Sequence, residues 1–216
     1  MTRYGYPYIF GSIFATLLTF VIWFFLWRHY VLMVIGLIFL ALTLLILNFF
    51  RDPEREIPQS IGALVSPADG KVISVDTINA PMYIKGKCIR VAVFLSVFDV
   101  HVNRIPYAGK IEFLKYVPGK FLPAFNEKVD ELNERMYVGF RHKNSRFLVV
   151  QIAGILARRI VYNLREGQEV AKGERYGMIK FGSRTDFYFP LKTNVLVKPG
   201  DRVRGGASII GEWSGE

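Results

Sequence analysis

Two long apolar runs near the amino terminus constrain this chain more than any other feature of its sequence. They are "IFGSIFATLLTFVIWFFLW" (9–27) and "VLMVIGLIFLALTLLILNFF" (31–50), and neither contains a charged residue. At about 1.5 Å per residue, each run would extend about 30 Å as a helix, which matches the hydrocarbon core of a bilayer. Because only three residues separate the runs, we predict that residues 1–50 form a two-helix membrane hairpin whose ends face the same side.

The connection between the two runs carries residues typical of a membrane interface. Trp23, Trp27 and Tyr30 are expected near one interface, and His29 beside them is expected to be an interfacial residue. A cleaved signal peptide fits less well, because the second run is too long and no small-residue cleavage site follows it. A hairpin that enters only one leaflet is the other arrangement that the sequence allows.

The basic residues around the runs favour the cytoplasm for both ends of the hairpin. Arg3 precedes the first run, Arg51 and Arg55 follow the second, and Arg28 alone lies in the connection. This distribution fits the enrichment of Lys and Arg on cytoplasmic flanks. The single cysteine, Cys88, excludes an intrachain disulfide and fits a reducing compartment. We therefore expect a protein of the cell (cytoplasmic) membrane whose larger domain lies on the cytoplasmic face.

The chain as a whole is basic, with 28 Lys and Arg against 18 Asp and Glu among its 216 residues and a formal net charge of +10. Such a charge favours an anionic partner, either a nucleic acid or a lipid surface. The apolar runs favour the lipid surface, since basic residues beside a membrane span attract acidic headgroups. No RNA-binding aromatic signature is present, so we expect no nucleic-acid partner.

Residues 61–216 follow a polar linker at 51–60 and have the pattern of an antiparallel β domain. Short runs rich in Val, Ile, Phe and Tyr alternate with Gly, Pro and Asp turns. The clearest runs are "KVISV", "CIRVAVFLS", "KIEFLKYV", "MYVGFRH", "RFLVVQIAG" and "RIVYNL". One segment, "PAFNEKVDELNER" (123–135), has helical spacing and is predicted to be a helix or an ordered loop that covers one end of the sheet.

A weak internal repeat relates two segments at an offset of 33 residues, "REGQEVAKGERY" (165–176) and "KPGDRVRGGASI" (198–209). Both place a basic residue, Gly, a polar residue, Val and Gly in matching positions. Such hairpins are similar to those of biotinyl and lipoyl carrier domains, and "VSPADGKVISV" (65–75) resembles the strand that precedes them. We therefore predict a mainly β fold of the barrel-sandwich type, built from biotinyl/lipoyl-like antiparallel hairpins.

Six segments together resemble one enzyme family. They are "VSPADGKV", "FDVHVNRIP", "PGKFLPAFNEKVDELNER", "QIAGILARRIV", "GQEVAKGERYGMIKFGSRTDFYFP" and "VKPGDRVRGG". Their order and approximate spacing are similar to those of phosphatidylserine decarboxylases, in the short form with a membrane hairpin. The resemblance covers roughly residues 60 to 210 and is specific because six separate segments agree.

The resemblance implies a covalent cofactor made from the chain itself. Decarboxylation of an amino acid needs an electron sink that side chains do not supply, and members of this family make a pyruvoyl group from their own serine. Here Ser183 would attack the carbonyl of Gly182, and β-elimination and loss of ammonia would leave the pyruvoyl group on residue 183. The two chains, 1–182 and 183–216, would stay together as a heterodimer that could form a higher oligomer. We find no phosphate cradle for pyridoxal phosphate and predict none.

The resemblance also implies the other catalytic groups. His101 is the candidate base for Ser183, with Asp69 positioned to orient the imidazole as in hydrolase triads. The substrate amine would form a Schiff base with the pyruvoyl group, and His101 would return a proton after CO2 leaves. Each residue also has a structural interpretation, since Asp-Gly is a common turn pair and a lone His in a β run often only packs. Longer bacterial members carry a second histidine where this chain has Arg104, so His101 must serve both steps or leave one to another group.

Several residues in the matched segments are candidates for the lipid substrate. Cationic side chains could bind the phosphate, and apolar residues of the 118–136 segment could admit acyl chains. The candidates are Arg104, Lys120, Arg135 and Arg184 for the phosphate, and Phe121, Leu122 and Phe125 for the acyl chains. The alternative is that these charges are only solvated and that the segment packs on the core.

Two other functions compete with phosphatidylserine decarboxylation. The same reaction on an ether-linked serine lipid of archaeal type would use the same headgroup chemistry. A non-enzymatic membrane-anchored carrier or adaptor would also explain the hairpins, although carrier domains present a modifiable lysine where this chain has "FGS". We predict no metal site, because the histidines, His142 in a predicted turn among them, lie far apart and form no pair with metal spacing.

Overall fold

The computed structural model describes the chain apart from residues 27, 81, 120–132, 155–158, 181, 182 and 216. The described chain forms two compact units, Met1–Pro53 and Glu54–Glu216. The segment predicted as a linker, 51–60, is therefore divided between them, because Glu54 and the residues after it belong to the second unit.

The first unit is a pair of apolar helices. A short 3-10 turn at Arg3–Gly5 precedes α1 (Tyr6–Phe25), and α2 spans Tyr30–Phe49. Both helices are long and apolar enough to cross a membrane. The predicted helical hairpin is confirmed, and α1 starts three residues before the predicted run. Trp27, predicted at the interface, lies outside the described residues.

Small and hydroxyl side chains pack the two helices against each other. The hydroxyl oxygens of Thr16 and Thr43 lie 3.0 Å apart. Gly36 lies against the ring of Phe20, and a Cβ atom at Gly36 would come within 3.1 Å of that ring. Close approach through small residues is typical of helices that associate within a bilayer, where the lipid offers no hydrophobic driving force.

The second unit consists of fourteen antiparallel strands among its described residues. Their bounds are β1 Ala63–Val65, β2 Gly70–Asn79, β3 Lys87–Leu95, β4 Val102–Arg104, β5 Gly109–Val117, β6 Arg135–His142, β7 Ser145–Ala153, β8 Ile160–Tyr162, β9 Glu169–Val170, β10 Arg175–Ile179, β11 Ser183–Phe189, β12 Thr193–Val195, β13 Arg202–Val203 and β14 Ile209–Trp213. This confirms the predicted mainly β, antiparallel class. The predicted helix at 123–135 lies outside the described residues except at its end, where Arg135 begins a strand rather than ending a helix.

The described strands of this unit form three sheets. The largest has the order β13-β2-β3-β11-β7-β6-β5-β9 and curls into a half-barrel. Two three-stranded sheets, β1-β14-β12 and β4-β10-β8, complete the unit. Strand β11 lies in the middle of the large sheet, paired with β3 on one side and β7 on the other.

Along the central strands β7 and β11, both faces of the large sheet are buried. We call the inner face the one that joins the larger core cluster, which includes Phe147, Val149 and Phe187. The outer face joins a second cluster, which includes Leu148 and Tyr188. Because side chains alternate along a strand, odd-numbered residues of β7 and β11 face inward and even-numbered residues face outward.

The repeated segments form equivalent turns at the two edges of the large sheet. Gly167 donates its N–H to the carbonyl of Ile111, and Gly200 donates its N–H to the carbonyl of Val72, both over 2.8 Å. Each turn leads into a two-residue edge strand, β9 beside β5 and β13 beside β2. The weak sequence repeat therefore corresponds to a structural repeat.

Candidate active site

Ser183 is the first residue of the central strand β11. It pairs with Leu95 of β3 and Ala153 of β7, and none of its surface is exposed. Its Oγ is buried and has no hydrogen-bond partner among the residues that the structure describes. The preceding residue of the predicted cleavage bond, Gly182, lies outside the described residues. A buried hydroxyl without a partner is unusual in a folded protein and marks the position for a functional explanation.

His101 lies at the end of the turn that follows β3. The turn is closed by Asp99, whose carboxylate accepts hydrogen bonds from the N–H and the hydroxyl of Ser96. The Nδ1 of His101 lies 2.9 Å from the carbonyl oxygen of Asp99. The carbonyl of His101 accepts the N–H of Ile179, the last residue of β10, over 3.3 Å. The imidazole is completely buried.

His101 and Ser183 lie in the same part of the domain. The strand that ends at Leu95 lies beside Ser183 and leads directly into the turn that carries His101. The partner of the His101 carbonyl, Ile179, lies four residues before Ser183 in the chain. Asn103 lies two residues after His101, and Thr185 lies two residues after Ser183. The side chains of Asn103 and Thr185 are hydrogen-bonded over 3.2 Å. The structure therefore brings the two predicted catalytic residues to one end of β11.

A buried amide network lines the inner face beside Ser183. Gln151 donates through Nε2 to Oδ1 of Asn103 over 2.7 Å. Asn103 in turn donates through Nδ2 to the hydroxyl of Thr185 and, over 3.4 Å, to the carbonyl oxygen of Pro67. All three polar residues are completely buried. Sequence reasoning did not single out this network, although a glutamine in the apolar run "FLVVQIAG" is the signal that could have found it.

Asp69 does not make the predicted contact with the imidazole. One carboxylate oxygen accepts from Arg55 over 2.7 Å, and the other accepts from the N–H of Gly205 over 2.7 Å. Burial raises the pKa of the Asp69 carboxyl, since these two partners only partly offset the loss of water. The carbonyl of Asp99 provides the contact to His101 that was predicted for Asp69.

Arg104 is buried rather than exposed to a ligand. Its Nη1 donates to the carbonyl of Gly173 over 3.1 Å, and its backbone N–H donates to the carbonyl of Pro67. A Cβ atom at Gly206 would come within 2.7 Å of the Arg104 side chain. These contacts give Arg104 a packing role between the repeated turns, which differs from the phosphate-binding role predicted from sequence.

Arg184 faces the outer side of the sheet, away from Ser183. Its guanidinium group binds the carboxylate of Asp186 through two hydrogen bonds of 2.7 Å, and Asp186 is completely buried. Arg135 also lies beside an outer-face residue, with its guanidinium 5.8 Å from the centre of the Tyr137 ring. The internal ion pair gives the Arg184 charge a partner within the protein, so the predicted phosphate role is not supported for this residue.

Four further candidates for lipid contact belong to the 118–136 segment. Lys120, Phe121, Leu122 and Phe125 lie outside the described residues.

The two other histidines have separate surroundings. His29 lies immediately before α2 in the first unit, and Nδ1 of His142 lies 3.0 Å from the carbonyl of Ala108 in the second unit. No group of three or more His, Cys, Asp or Glu side chains suited to a metal ion occurs within the described part of the chain.

A basic cavity lies at the opposite end of β11 from Ser183. It has a volume of about 460 Å³ and includes Pro190, the residue after the strand. Its described lining includes five cationic side chains: Lys85, Lys87, Arg141, Arg146 and Lys192. Strand β11 has seven residues, which separates the cavity from Ser183 by about 20 Å. The cavity is therefore distinct from the neighbourhood of His101 and Ser183.

Comparison with known proteins identifies relatives along most of the chain. The family model described as phosphatidylserine decarboxylase matches residues 42–211. A relative from Carboxydothermus hydrogenoformans is 47% identical over 182 residues, which cover 84% of this chain and 85% of the relative. Relatives from Symbiobacterium thermophilum and Syntrophus aciditrophicus are 44% and 42% identical over 98% and 99% of this chain, and over 94% and 97% of their own lengths. All three carry the name phosphatidylserine decarboxylase proenzyme.

Proposed function

This chain belongs to the phosphatidylserine decarboxylase family, and from that membership we propose the residues and the order of events by which it works. The protein is a carboxy-lyase that converts phosphatidylserine to phosphatidylethanolamine and CO2. Neither the ether-linked lipid nor the carrier function is favoured by these relatives, whose names agree on one substrate. The observation that carries the proposal is the buried hydroxyl of Ser183 at one end of the central strand, beside the turn of His101.

Processing of the chain at Gly182–Ser183 is the first event. The Ser183 Oγ attacks the carbonyl carbon of Gly182, so that an ester bond forms to Oγ, the peptide C–N bond breaks, and the hydroxyl proton is transferred to the released nitrogen. Elimination then removes the Ser183 Cα proton and breaks the Cβ–Oγ bond, which leaves a carboxylate on Gly182. Water replaces the nitrogen, which departs as ammonia. The word "proenzyme" in the names of the relatives is consistent with such a precursor.

The described surroundings of residue 183 fit a pyruvoyl group. Ser183 has no exposed surface, and the small side chain of Ala153 lies opposite it on β7. When present, the group supplies an electron-withdrawing carbonyl that reacts with the substrate amine and takes up the electrons left by CO2. The protein must therefore supply proton transfer, exclusion of water and binding of the lipid.

His101 is the residue best suited to proton transfer. A carbonyl oxygen can only accept, so the contact with Asp99 assigns the proton of the neutral imidazole to Nδ1 and makes Nε2 the basic nitrogen. This nitrogen would accept the Ser183 proton during processing and later exchange a proton with the substrate. The second histidine of longer family members is replaced by the internally bonded Arg104, which supports assigning both steps to His101.

Asp69 has a supporting role in this proposal. Its bonds to Arg55 and Gly205 fix the segment that also carries the Pro67 carbonyl, which binds both Asn103 and Arg104. Loss of the carboxylate would therefore disturb the strand that follows His101. This assigns Asp69 to positioning of the site and leaves orientation of the imidazole to Asp99.

The membrane contributes the substrate and the location. The two apolar helices associate the chain with a membrane, and we place the catalytic unit on the cytoplasmic face, with chains 1–182 and 183–216 held together after processing. Lys120 and Arg135 are the remaining candidates for the lipid phosphate, because Arg104 and Arg184 have internal partners. The acyl chains would meet the 118–136 segment.

Intact mass measurement of the purified protein beside a Ser183→Ala variant tests the proposal. We expect two chains in the wild type, split after Gly182, with the 34-residue fragment lighter than its encoded sequence by the change of serine to pyruvoyl. We expect one intact chain in the variant, with no decarboxylation of phosphatidylserine vesicles. A single full-length mass for both proteins, folded and with lipid present, would contradict the proposal.

A further inference from the structure

Two buried polar atoms on the inner face of the large sheet have no hydrogen-bond partner among the residues that the structure describes. They are Oγ of Ser183 and Oε1 of Gln151. Both residues are completely buried, and both project to the same face from neighbouring strands. Because an unpaired buried acceptor is destabilising, its retention beside a reactive serine needs an explanation.

The strand register makes the two residues diagonal neighbours. Ser183 lies opposite Ala153, and Gln151 lies opposite Thr185, which is two residues farther along β11. Diagonal partners on one face of an antiparallel pair are within reach of a long side chain. The intervening residue on the β7 side, Ala153, offers only a methyl group, so it does not separate the Gln151 amide from residue 183.

The polarity of the amide network determines which atom of Gln151 is left over. The carbonyl oxygen of Pro67 can only accept, so Asn103 must present its NH2 group to Pro67 and its Oδ1 to Gln151. Gln151 must then donate its own NH2 group to Asn103. The atom that remains is Oε1, which is an acceptor. The site therefore has a fixed acceptor rather than a donor.

We propose that Gln151 Oε1 is the hydrogen-bond acceptor for a nitrogen carried on Cα of residue 183. This inference rests on the processing reaction proposed above. When the acyl group moves from nitrogen to Oγ, the amide nitrogen of Ser183 becomes an amine and gains a proton, and therefore an additional donor. An acceptor already in place would stabilise this amine and favour the ester over the peptide. The same acceptor then lies ready for the primary amine of the lipid headgroup, which reacts at the same carbon.

Replacement of Gln151 by two side chains of similar size separates this function from packing. Gln151→Leu removes both polar atoms and suits an apolar face. Gln151→Glu, protonated because burial disfavours the charged form, keeps an acceptor oxygen and a donor for Asn103 Oδ1. If Gln151 only packs, the leucine variant should cleave normally and the glutamate variant should be the worse of the two. The proposal predicts the reverse order. Val149→Ala, two residues earlier on the same face of β7, is the matched control for a change in the core.

The measurement is the rate of self-cleavage at Gly182–Ser183, followed by intact mass in freshly folded protein, with and without hydroxylamine, which captures the ester. We expect Gln151→Leu to cleave at least tenfold more slowly than the wild type under both conditions, and Gln151→Glu to cleave at least fivefold faster than Gln151→Leu. Val149→Ala should cleave within twofold of the wild type per folded molecule. Gln151→Met is judged by the same limits should the leucine variant fail to fold.

Two results would overturn the inference. One is cleavage of the leucine or methionine variant within twofold of the wild type, and the other is slower cleavage of the glutamate variant than of the leucine variant. Absence of cleavage in the wild type itself would instead contradict the proposed function. The two failures are therefore distinguishable.

Discussion

Asn103 donates to the hydroxyl of Thr185 over 3.2 Å, and this bond joins the small sheet that contains β4 to the central strand of the large one. The two residues are each two positions beyond a predicted catalytic residue, His101 and Ser183 respectively. The candidate active site thus lies where two sheets meet, and the contact between them is polar and buried.

Replacement of His101 should stop processing while leaving the fold intact. We expect His101→Asn to slow self-cleavage at least 100-fold, which is the usual scale for loss of a general base, when intact mass is followed over time. His142→Asn is the matched control. The ring of His142 also lies near a backbone carbonyl, that of Ala108, but it lies away from Ser183. Normal cleavage in the His101 variant would assign the base to another group.

Asp186 should be important for stability rather than for substrate binding. Its carboxylate is completely buried against Arg184, so Asp186→Ala should remove one partner of a buried ion pair and reduce the free energy of unfolding by about 3–5 kcal/mol. Asp76→Ala is the control, because Asp76 is 39% exposed in its ion pair with Arg90 and should cost less than about 1 kcal/mol. Denaturant unfolding would compare them. An Arg184→Met variant of normal stability with a raised KM for lipid would instead support the phosphate role.

Asp69 should give stability a recognisable pH dependence. Burial raises the pKa of its carboxyl, so the folded protein holds this proton more tightly than the unfolded chain, whose value is about 3.9. The favourable contribution of Asp69 to the free energy of unfolding is therefore complete below the unfolded pKa. It is lost as the pH rises through the higher pKa of the folded protein. Unfolding measured upward from about pH 3, which is below the unfolded pKa, should show wild-type stability falling relative to Asp69→Asn.

Asp76 provides the opposite slope as an internal control for that experiment. Burial acts to raise the pKa of its carboxyl, but hydrogen bonds from Arg90 and Ser74 outweigh burial and lower it. The contribution of Asp76 to the free energy of unfolding is present above the unfolded pKa and is lost as the pH falls through the lower pKa of the folded protein. Equal slopes for Asp69→Asn and Asp76→Asn would contradict the assignment of their surroundings.

Gly173 should be far less tolerant of a side chain than Gly167 in the same repeated turn. Both have positive φ, 79° and 84°, so Ala at either position carries backbone strain. A Cβ atom at Gly173 would lie 2.4 Å from Ile57, whereas nothing in the described chain lies within 4 Å of one at Gly167. We expect Gly173→Ala to reduce the free energy of unfolding by about 1–3 kcal/mol more than Gly167→Ala. Equal losses would mean that the 54–60 segment does not pack there.

The elements of the fold could be predicted because their signals are local. Two charge-free runs and a series of short β runs separated by turn residues indicate the helices and strands of the two units, and the repeat at 165–176 and 198–209 indicates equivalent turns. Residues 54–60 belong to the segment 51–60, which its polar composition predicts to be a linker. Its attachment depends on Arg55 reaching Asp69, which is a contact that composition does not reveal.

The surroundings of the candidate site could not be predicted to the same degree, because they depend on long-range register. Arg104 and Arg184 look like cations available to a phosphate, yet each has an internal partner in the folded chain. Asp69 likewise looks like a carboxylate available to His101, yet it binds Arg55 in the folded chain. The network around Gln151 was not anticipated, because the pairing of Gln151 with Thr185 is set by strands more than thirty residues apart.

The central position of β11 has a consequence for how the mature protein persists. After the proposed cleavage, the 34-residue chain would supply a strand between β3 and β7 and would also contribute β12, β13 and β14 to the sheets. The precursor can fold as one molecule, but the separated chains would have to find each other before this strand could re-enter the sheet. Refolding would therefore become second-order in protein, and the working lifetime of the enzyme would be governed by its rate of unfolding.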